Sequence, residues 1–162
     1  MTEQSAGDAV ETMMHKKILI PTDGSELSLK AIEHGVAFAR EINAAIVFVT
    51  VTKPFQSIER EPRLVVDMPK EYKRFVHEYL TAESNSYLES AKAVAAKASV
   101  ACEVFHVQHD HIYQGIIDTA GTTDCDLIIM ASHGRRGVSA IILGSETLKV
   151  LTHSKIPVLV YR

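Results

Sequence analysis

The 162-residue chain is 46% hydrophobic and carries a formal net charge of -3, with a pI near 6.2. That length fits one domain, which buries roughly two-thirds of the surface its unfolded chain exposes and needs neither a disulfide staple nor a structural metal. The acidic balance argues against a nucleic-acid binder, which needs a basic face, and no apolar run approaches the roughly 20 residues of a membrane span.

Met1 to Glu11 is polar and acidic, without the basic and apolar regions of a secretory signal, so residues 1–15 are expected to form a disordered tail ahead of a domain over 16–162. Cys102 and Cys125 lack Cys-x-x-Cys spacing and read as small buried thiols. With neither signal nor cysteine framework, the expected compartment is the cytoplasm.

In chain order, Ile18, Leu19 and Ile20 form a continuous apolar run closed by Pro21 and the turn-forming Asp23-Gly24, which predicts a strand buried on both faces. Ser25 suits the N-cap of an amphipathic helix whose stripe is Ile32, Val36, Ala39 and Ile42. The β-branched run Ala45 to Val51 predicts a second buried strand. Thr52 to Pro69 carries three prolines among charges and reads as a long loop. From Lys70 a helical period runs through Tyr72, Val76 and Tyr79 to Leu88, Ala91 and Ala95, interrupted by the polar Glu83 to Ser86, so the helix is either long or broken. Val100 to Val107 is a third strand, Ile112 to Ala120 a helix stopped at Gly121, and Leu127 to Ala131 a fourth buried strand. Ser145 to His153 is helical, and Val158 to Tyr161 is the last strand.

Apolar strands alternating with helices predict an α/β fold, a doubly wound five-stranded parallel sheet with helices on both faces, Rossmann-like in layout. Ligands of such sheets lie beyond the carboxyl ends of the strands, where the strand order reverses. The loops after Ile20, Val51 and Met130 are therefore the candidates for a site. Between Met130 and Ser145 the chain carries Gly134, Gly137 and Gly144, and Gly144-Ser145 opens a helix. Glycine admits close approach of an anion, and a helix start offers free N–H groups and a positive dipole end. The same glycines also suit ordinary turns. Neither a P-loop nor a Gly-x-Gly-x-x-Gly fingerprint is present.

Lys17-Ile18-Leu19-Ile20-Pro21-Thr22-Asp23-Gly24-Ser25, Asp126-Leu127-Ile128-Ile129-Met130-Ala131-Ser132-His133-Gly134 and the closing Pro157-Val158-Leu159-Val160 together resemble the universal stress protein family over Lys16 to Arg162. ATP-binding members carry glycine, two residues, glycine, nine residues, glycine and then serine or threonine. Here Ala131 stands at the first glycine, followed by Gly134, nine residues, Gly144 and Ser145. Ala serves there if its φ is negative. The resemblance implies that Pro21, Thr22 and Asp23 line the adenosine side and that the Val51 backbone meets the adenine edge. It puts Met130 and Ala131 by the ribose and α-phosphate, gives Gly134 and Gly144 phosphate contacts through backbone N–H, and bonds Ser145 to a phosphate oxygen. Glu146 is expected to point outward. The implied cofactor is ATP, with Mg²⁺ or as AMP or ADP, and the implied partner is a second copy joined through the edge strand Val158 to Tyr161, in a stress-response role.

Rival readings are a slow ATP hydrolase and a nucleotide-free stress protein acting through dimer contacts. His106, His109 and His111 near Cys102 raise a metal site, against which two loop histidines and one strand histidine account for the spacing. Ser132-His133 raises a nucleophile, against which adjacent side chains at a strand end are expected to diverge. Arg135 and Arg136 face either a phosphate or solvent.

Overall fold

The computed structural model describes residues 15–54, 69–135 and 143–162. Its elements are β1 (Lys17–Pro21), α1 (Glu26–Ile42), β2 (Ala45–Thr52), α2 (Lys70–Lys97), β3 (Cys102–Gln108), α3 (Ile112–Thr122), β4 (Leu127–Ala131), α4 (Ser145–His153) and β5 (Val158–Tyr161). All strand pairs are parallel, in the order β3-β2-β1-β4-β5. The order reverses between β1 and β4, and this is the doubly wound sheet that the apolar runs predict.

Strand alternation divides the core in two. Ile18, Ile20, Ile46, Phe48, Leu127 and Ile129 point to the face covered by Ile32, Val36 and Ala39 of α1 and Leu88, Ala91 and Ala95 of α2. Leu19, Val47, Val49, Ile128 and Met130 point to the other face, under Ile116 and Ala120 of α3 and Val150 of α4. Continuous apolar runs are required because both faces are dry.

Ser25 caps α1 as its spacing predicts, accepting from Ser28 N–H, and Asn43 closes the helix in the left-handed region at φ 56°. The polar stretch Glu83 to Ser86 does not break α2. The Ser84 hydroxyl turns back onto the Leu80 carbonyl at 2.9 Å and is absorbed within the helix. Two boundaries differ from the sequence reading by two residues, and the ends of β2 and β3 by one. The third strand begins at Cys102, because Ser99 is left-handed at φ 57° and Val100 N–H still bonds the Ala95 carbonyl. Helix α3 runs past Gly121 to Thr122, since Asp124 at φ 55° makes the left-handed turn in place of the glycine. The expected long loop falls mostly on residues 55–68, and the expected tail on residues 1–14, outside the described residues. Neither cysteine is in a disulfide; Cys125 is buried, Cys102 half-buried, and burial pushes both thiols up. Among the described residues no helix is long and apolar enough to cross a membrane.

Candidate functional site

The β1–β4 ladder registers Ile18 with Leu127 and Leu19 with Ile128, and beyond it the two strands part into loops at the switch point. Strand β1 ends in a tight, internally satisfied turn. Thr22 is 5% exposed; its N–H bonds the Val49 carbonyl, its own carbonyl accepts from the Thr50 hydroxyl, and its hydroxyl lies 3.1 Å from that of Ser28. Thr22 therefore holds the turn, and only its placement next to Asp23 serves a site.

Asp23 joins the two loops. Its Oδ1 accepts the Ser25 N–H at 3.0 Å and its Oδ2 accepts the Arg135 N–H at 2.8 Å, across 112 residues of sequence. A Cβ on Gly134 would overlap the same Oδ2, so glycine is needed there for the loop to seat on the carboxylate. Burial pushes the Asp23 carboxyl up, but hydrogen bonds from Ser25 and the Arg135 backbone outweigh it and hold the group below the ordinary carboxylate range. With a depressed folded-state pKa, its contribution to stability is present above the unfolded value of about 3.9 and is lost as pH falls through the folded value.

On the other side of β1 the end of β2 is open. Thr52 carbonyl accepts from His109 N–H and so faces β3, whereas Val49 carbonyl accepts from Thr22 and faces β1. Main-chain groups alternate along a strand, so Val51 presents its N–H and carbonyl to the β1 side, where β1 has already ended at Pro21, opposite Val49. This leaves one main-chain donor and one acceptor side by side at the end of β2. The Val51 side chain packs against the first turn of α3, where a Cβ on Gly115 would come within 2.7 Å of it.

At the end of β4, Ala131 is 8% exposed and lies in the strand, outside the positive-φ residues, so the methyl at the signature's first position costs no backbone strain. Its carbonyl accepts the Thr147 hydroxyl at 3.0 Å. Gly144 N–H donates to the Ser132 carbonyl at 2.7 Å, which draws the start of α4 against the end of β4. The expectation that Gly144 offers this N–H to a phosphate is thereby corrected. That donor is spent on the loop, and the donors left are those of the first turn of α4, which no side chain caps. By contrast α1 is capped by Ser25, and the Tyr113 N–H at the start of α3 is taken by Glu146 Oε2 at 2.9 Å. The Glu146 side chain remains 37% exposed while its carboxylate is engaged with the protein. It serves α3 and pairs with Lys149 at 2.9 Å. Ser145 is exposed at the first position of α4.

Of the predicted site residues, Asp23, Gly134, Ala131, Gly144 and Ser145 converge on the switch point, with Val51 across β1. Met130 is 6% exposed and its side chain belongs to the core, leaving only its backbone for a ligand, and Pro21 is the half-buried end of β1. Sequence reasoning missed Glu83 and Tyr87 of α2. The Arg135 guanidinium pairs with Glu83 at 3.1 Å and lies 5.5 Å from the centre of the Tyr87 ring, whose hydroxyl donates to Glu83. Burial, then Glu83, pushes the Tyr87 phenol up to about 12. The only signal in the sequence was the charge of Arg135. Arg136 and Gly137 lie outside the described residues.

The alternative constellations resolve differently. Ser132 and His133 do not diverge, since Ser132 Oγ lies 3.2 Å from His133 Nδ1, but Ser132 is 3% exposed and out of a substrate's reach. His109 Nδ1 lies 3.0 Å from the His111 main-chain nitrogen and 2.9 Å from the His111 carbonyl oxygen, and its Nε2 lies 3.8 Å from Asp118. His109 thus ties the turn. His106 Nε2 bonds the Thr52 hydroxyl at 2.9 Å, and burial pushes its pKa down. Among the described residues no group of three His, Cys, Asp or Glu side chains could hold a metal ion.

Comparison with known proteins agrees with this architecture. The family model described as "Universal stress protein family" matches residues 14–162. The chain belongs to the universal stress protein family. Among curated relatives, universal stress protein MJ0531 of Methanocaldococcus jannaschii is 31% identical over 156 residues, covering 92% of this chain and 83% of that protein. The solved structure of MJ0577 from the same organism superposes with a TM-score of 0.74 at 29% identity, covering 91% of this chain and 96% of that one. A universal stress protein of Archaeoglobus fulgidus solved in complex with dAMP shares the fold at a TM-score of 0.64 and 16% identity, covering 93% of this chain and 100% of that one.

Proposed function

We propose that this universal stress protein binds an adenine nucleotide, ATP foremost, at the switch point and acts as a nucleotide-dependent module rather than as an enzyme. One observation carries the reading: the uncapped start of α4 is drawn against the end of β4 by the Gly144–Ser132 hydrogen bond, one strand away from the open Val51 edge. An anion suits the first and a purine edge suits the second. The Asp23 carboxylate between them suits a ribose hydroxyl or an amino donor. In this arrangement Pro21, Thr22 and Asp23 border the nucleoside, Met130 and Ala131 contribute backbone beside the sugar, and Gly134, Gly144 and Ser145 shape the phosphate side. Mg²⁺ would accompany ATP on its phosphates. That a family member of the same fold has been solved with dAMP supports the choice of an adenine nucleotide.

Calorimetric titration of the purified protein with ATP and AMP in the presence of Mg²⁺ tests this. Saturable binding that Ser145→Ala weakens is the expected result, and no binding at millimolar nucleotide would overturn the reading. Because Ala131 sits without strain, Ala131→Gly is expected to change ATP affinity by less than about tenfold and to lower stability by ~1 kcal/mol, the entropic cost of glycine in a strand.

The proposed partner is a second copy. Strand β5 is an edge of the sheet, four residues long, with Leu159, in register with Ile129, 43% exposed. Such an edge pairs readily across a two-fold axis. A charge placed there is placed twice, so Leu159→Asp is expected to give a monomer. Light scattering that returns an unchanged mass for the variant, or a monomer for the wild type, would remove β5 as the interface.

A further inference from the structure

Beyond β4, Arg135 is held by two different means. Arg135 gives its main-chain N–H to Asp23 and its guanidinium to Glu83 of α2. The two attachments differ in kind. The N–H bond joins a half-buried carboxylate that also holds the β1 turn, so it fixes where Arg135 stands. The guanidinium lies in the open, with its side chain 54% exposed and that of Glu83 28% exposed. An exposed ion pair of this sort is weak and exchanges readily, whereas an arginine meeting a multiply charged phosphate forms shorter, bidentate, charge-assisted bonds. Tyr87 completes the holding position: its ring lies under the guanidinium, its hydroxyl donates to the same Glu83 oxygen, and its ring edge closes over Gly24 of the β1 turn. Arg135 is therefore parked on α2, one residue beyond Gly134, with its backbone anchored at the mouth of the crevice.

We infer that Arg135 is a chain-length sensor, which leaves Glu83 and Tyr87 for the terminal phosphates of a nucleoside di- or triphosphate and stays on α2 when a monophosphate is bound. This rests on the nucleotide reading above and adds to it a specificity determinant and a route by which the phosphate count reaches α2. A monophosphate is held at the start of α4 and presents no further charge to Arg135. A longer chain extends its charge outward, and Arg135 is the cation already anchored beside Asp23. Release of Glu83 then leaves an unpaired carboxylate on α2 and frees the Tyr87 ring from the cation above it. The surface of α2 would thus differ between the triphosphate and monophosphate complexes without movement of the sheet.

The test is calorimetry with ATP and AMP on the full chain and on Glu83→Gln, Arg135→Ala and the double variant. Gln keeps an acceptor for the Tyr87 hydroxyl and removes only the charge that competes for Arg135. Glu83→Gln is expected to tighten ATP binding about threefold, and Arg135→Ala to weaken it about tenfold, while AMP stays within about twofold in both. In the double variant, Glu83→Gln should have no effect. Tyr87 ring resonances should shift on adding ATP and remain in place with AMP, which a purely structural role of the ion pair would not produce. AMP binding with an ATP-to-AMP ratio equal in all four proteins overturns the sensor and leaves the nucleotide site standing. Failure of the wild type to bind either nucleotide overturns both.

Discussion

Replacing Gly144 by valine is expected to lower ATP affinity by more than tenfold while the protein keeps its circular dichroism spectrum. A Cβ at this position would stand 3.1 Å from the Cα of His133 and 3.4 Å from both the His133 Cβ and the Ser132 carbonyl oxygen. The first and last of these are main-chain atoms that cannot swing away as a side-chain end can. The loop must shift, and the Gly144–Ser132 hydrogen bond that seats the start of α4 against β4 is the first contact to go. Overpacking of this kind costs about 1–3 kcal/mol in a well-packed site. Tenfold in affinity corresponds to about 1.4 kcal/mol, so a shift that removes even one or two donors from the phosphate accounts for the loss. Calorimetry on the folded variant is the measurement. Affinity equal to that of the wild type would place the phosphates elsewhere.

The largest expected loss of stability comes from Phe48→Ala. Phe48 is fully buried at the middle of β2, on the face shared with α1 and α2, and its neighbours in that cluster include Ile18, Ile20, Ile46 and Ile129. Truncating a buried phenylalanine removes its transfer free energy and leaves a cavity, together about 3–5 kcal/mol. Domains of this size are stable by about 5–15 kcal/mol, so the variant loses roughly a fifth or more of its margin. Urea denaturation should show a lower midpoint with an unchanged slope, because the surface exposed on unfolding is nearly the same. A loss below about 1 kcal/mol would mean that the two faces of the sheet repack around the gap.

Both faces of the core were legible in the amino-acid order, because the buried stretch of a strand covered on both sides has to be apolar throughout, as 18–20, 46–49 and 127–131 are. Ser25 announced the start of α1 by its chemistry, and Gly144-Ser145 announced the start of α4. The two boundaries that differ by two residues share one reason: Ser99 and Asp124 adopt positive φ, which serine and aspartate do seldom, so no residue type marked those turns. The polar stretch in α2 misled in the opposite direction, since the Ser84 hydroxyl is satisfied within the helix.

The sequence by itself determined the element order, the doubly wound sheet, the family and the loops that line the switch point, because periodicity, capping and glycine punctuation act over a few residues. Only the tertiary structure decided which polar groups meet. Asp23 bonds Arg135 across 112 residues, Arg135 bonds Glu83 across 52, and Glu146 caps α3 across 33. Such contacts join single side chains from separate elements and leave no period in the sequence. They also decided which donors remain for a ligand: the Gly144 N–H, a phosphate donor by its place in the motif, is consumed by Ser132 once β4 and α4 are packed side by side.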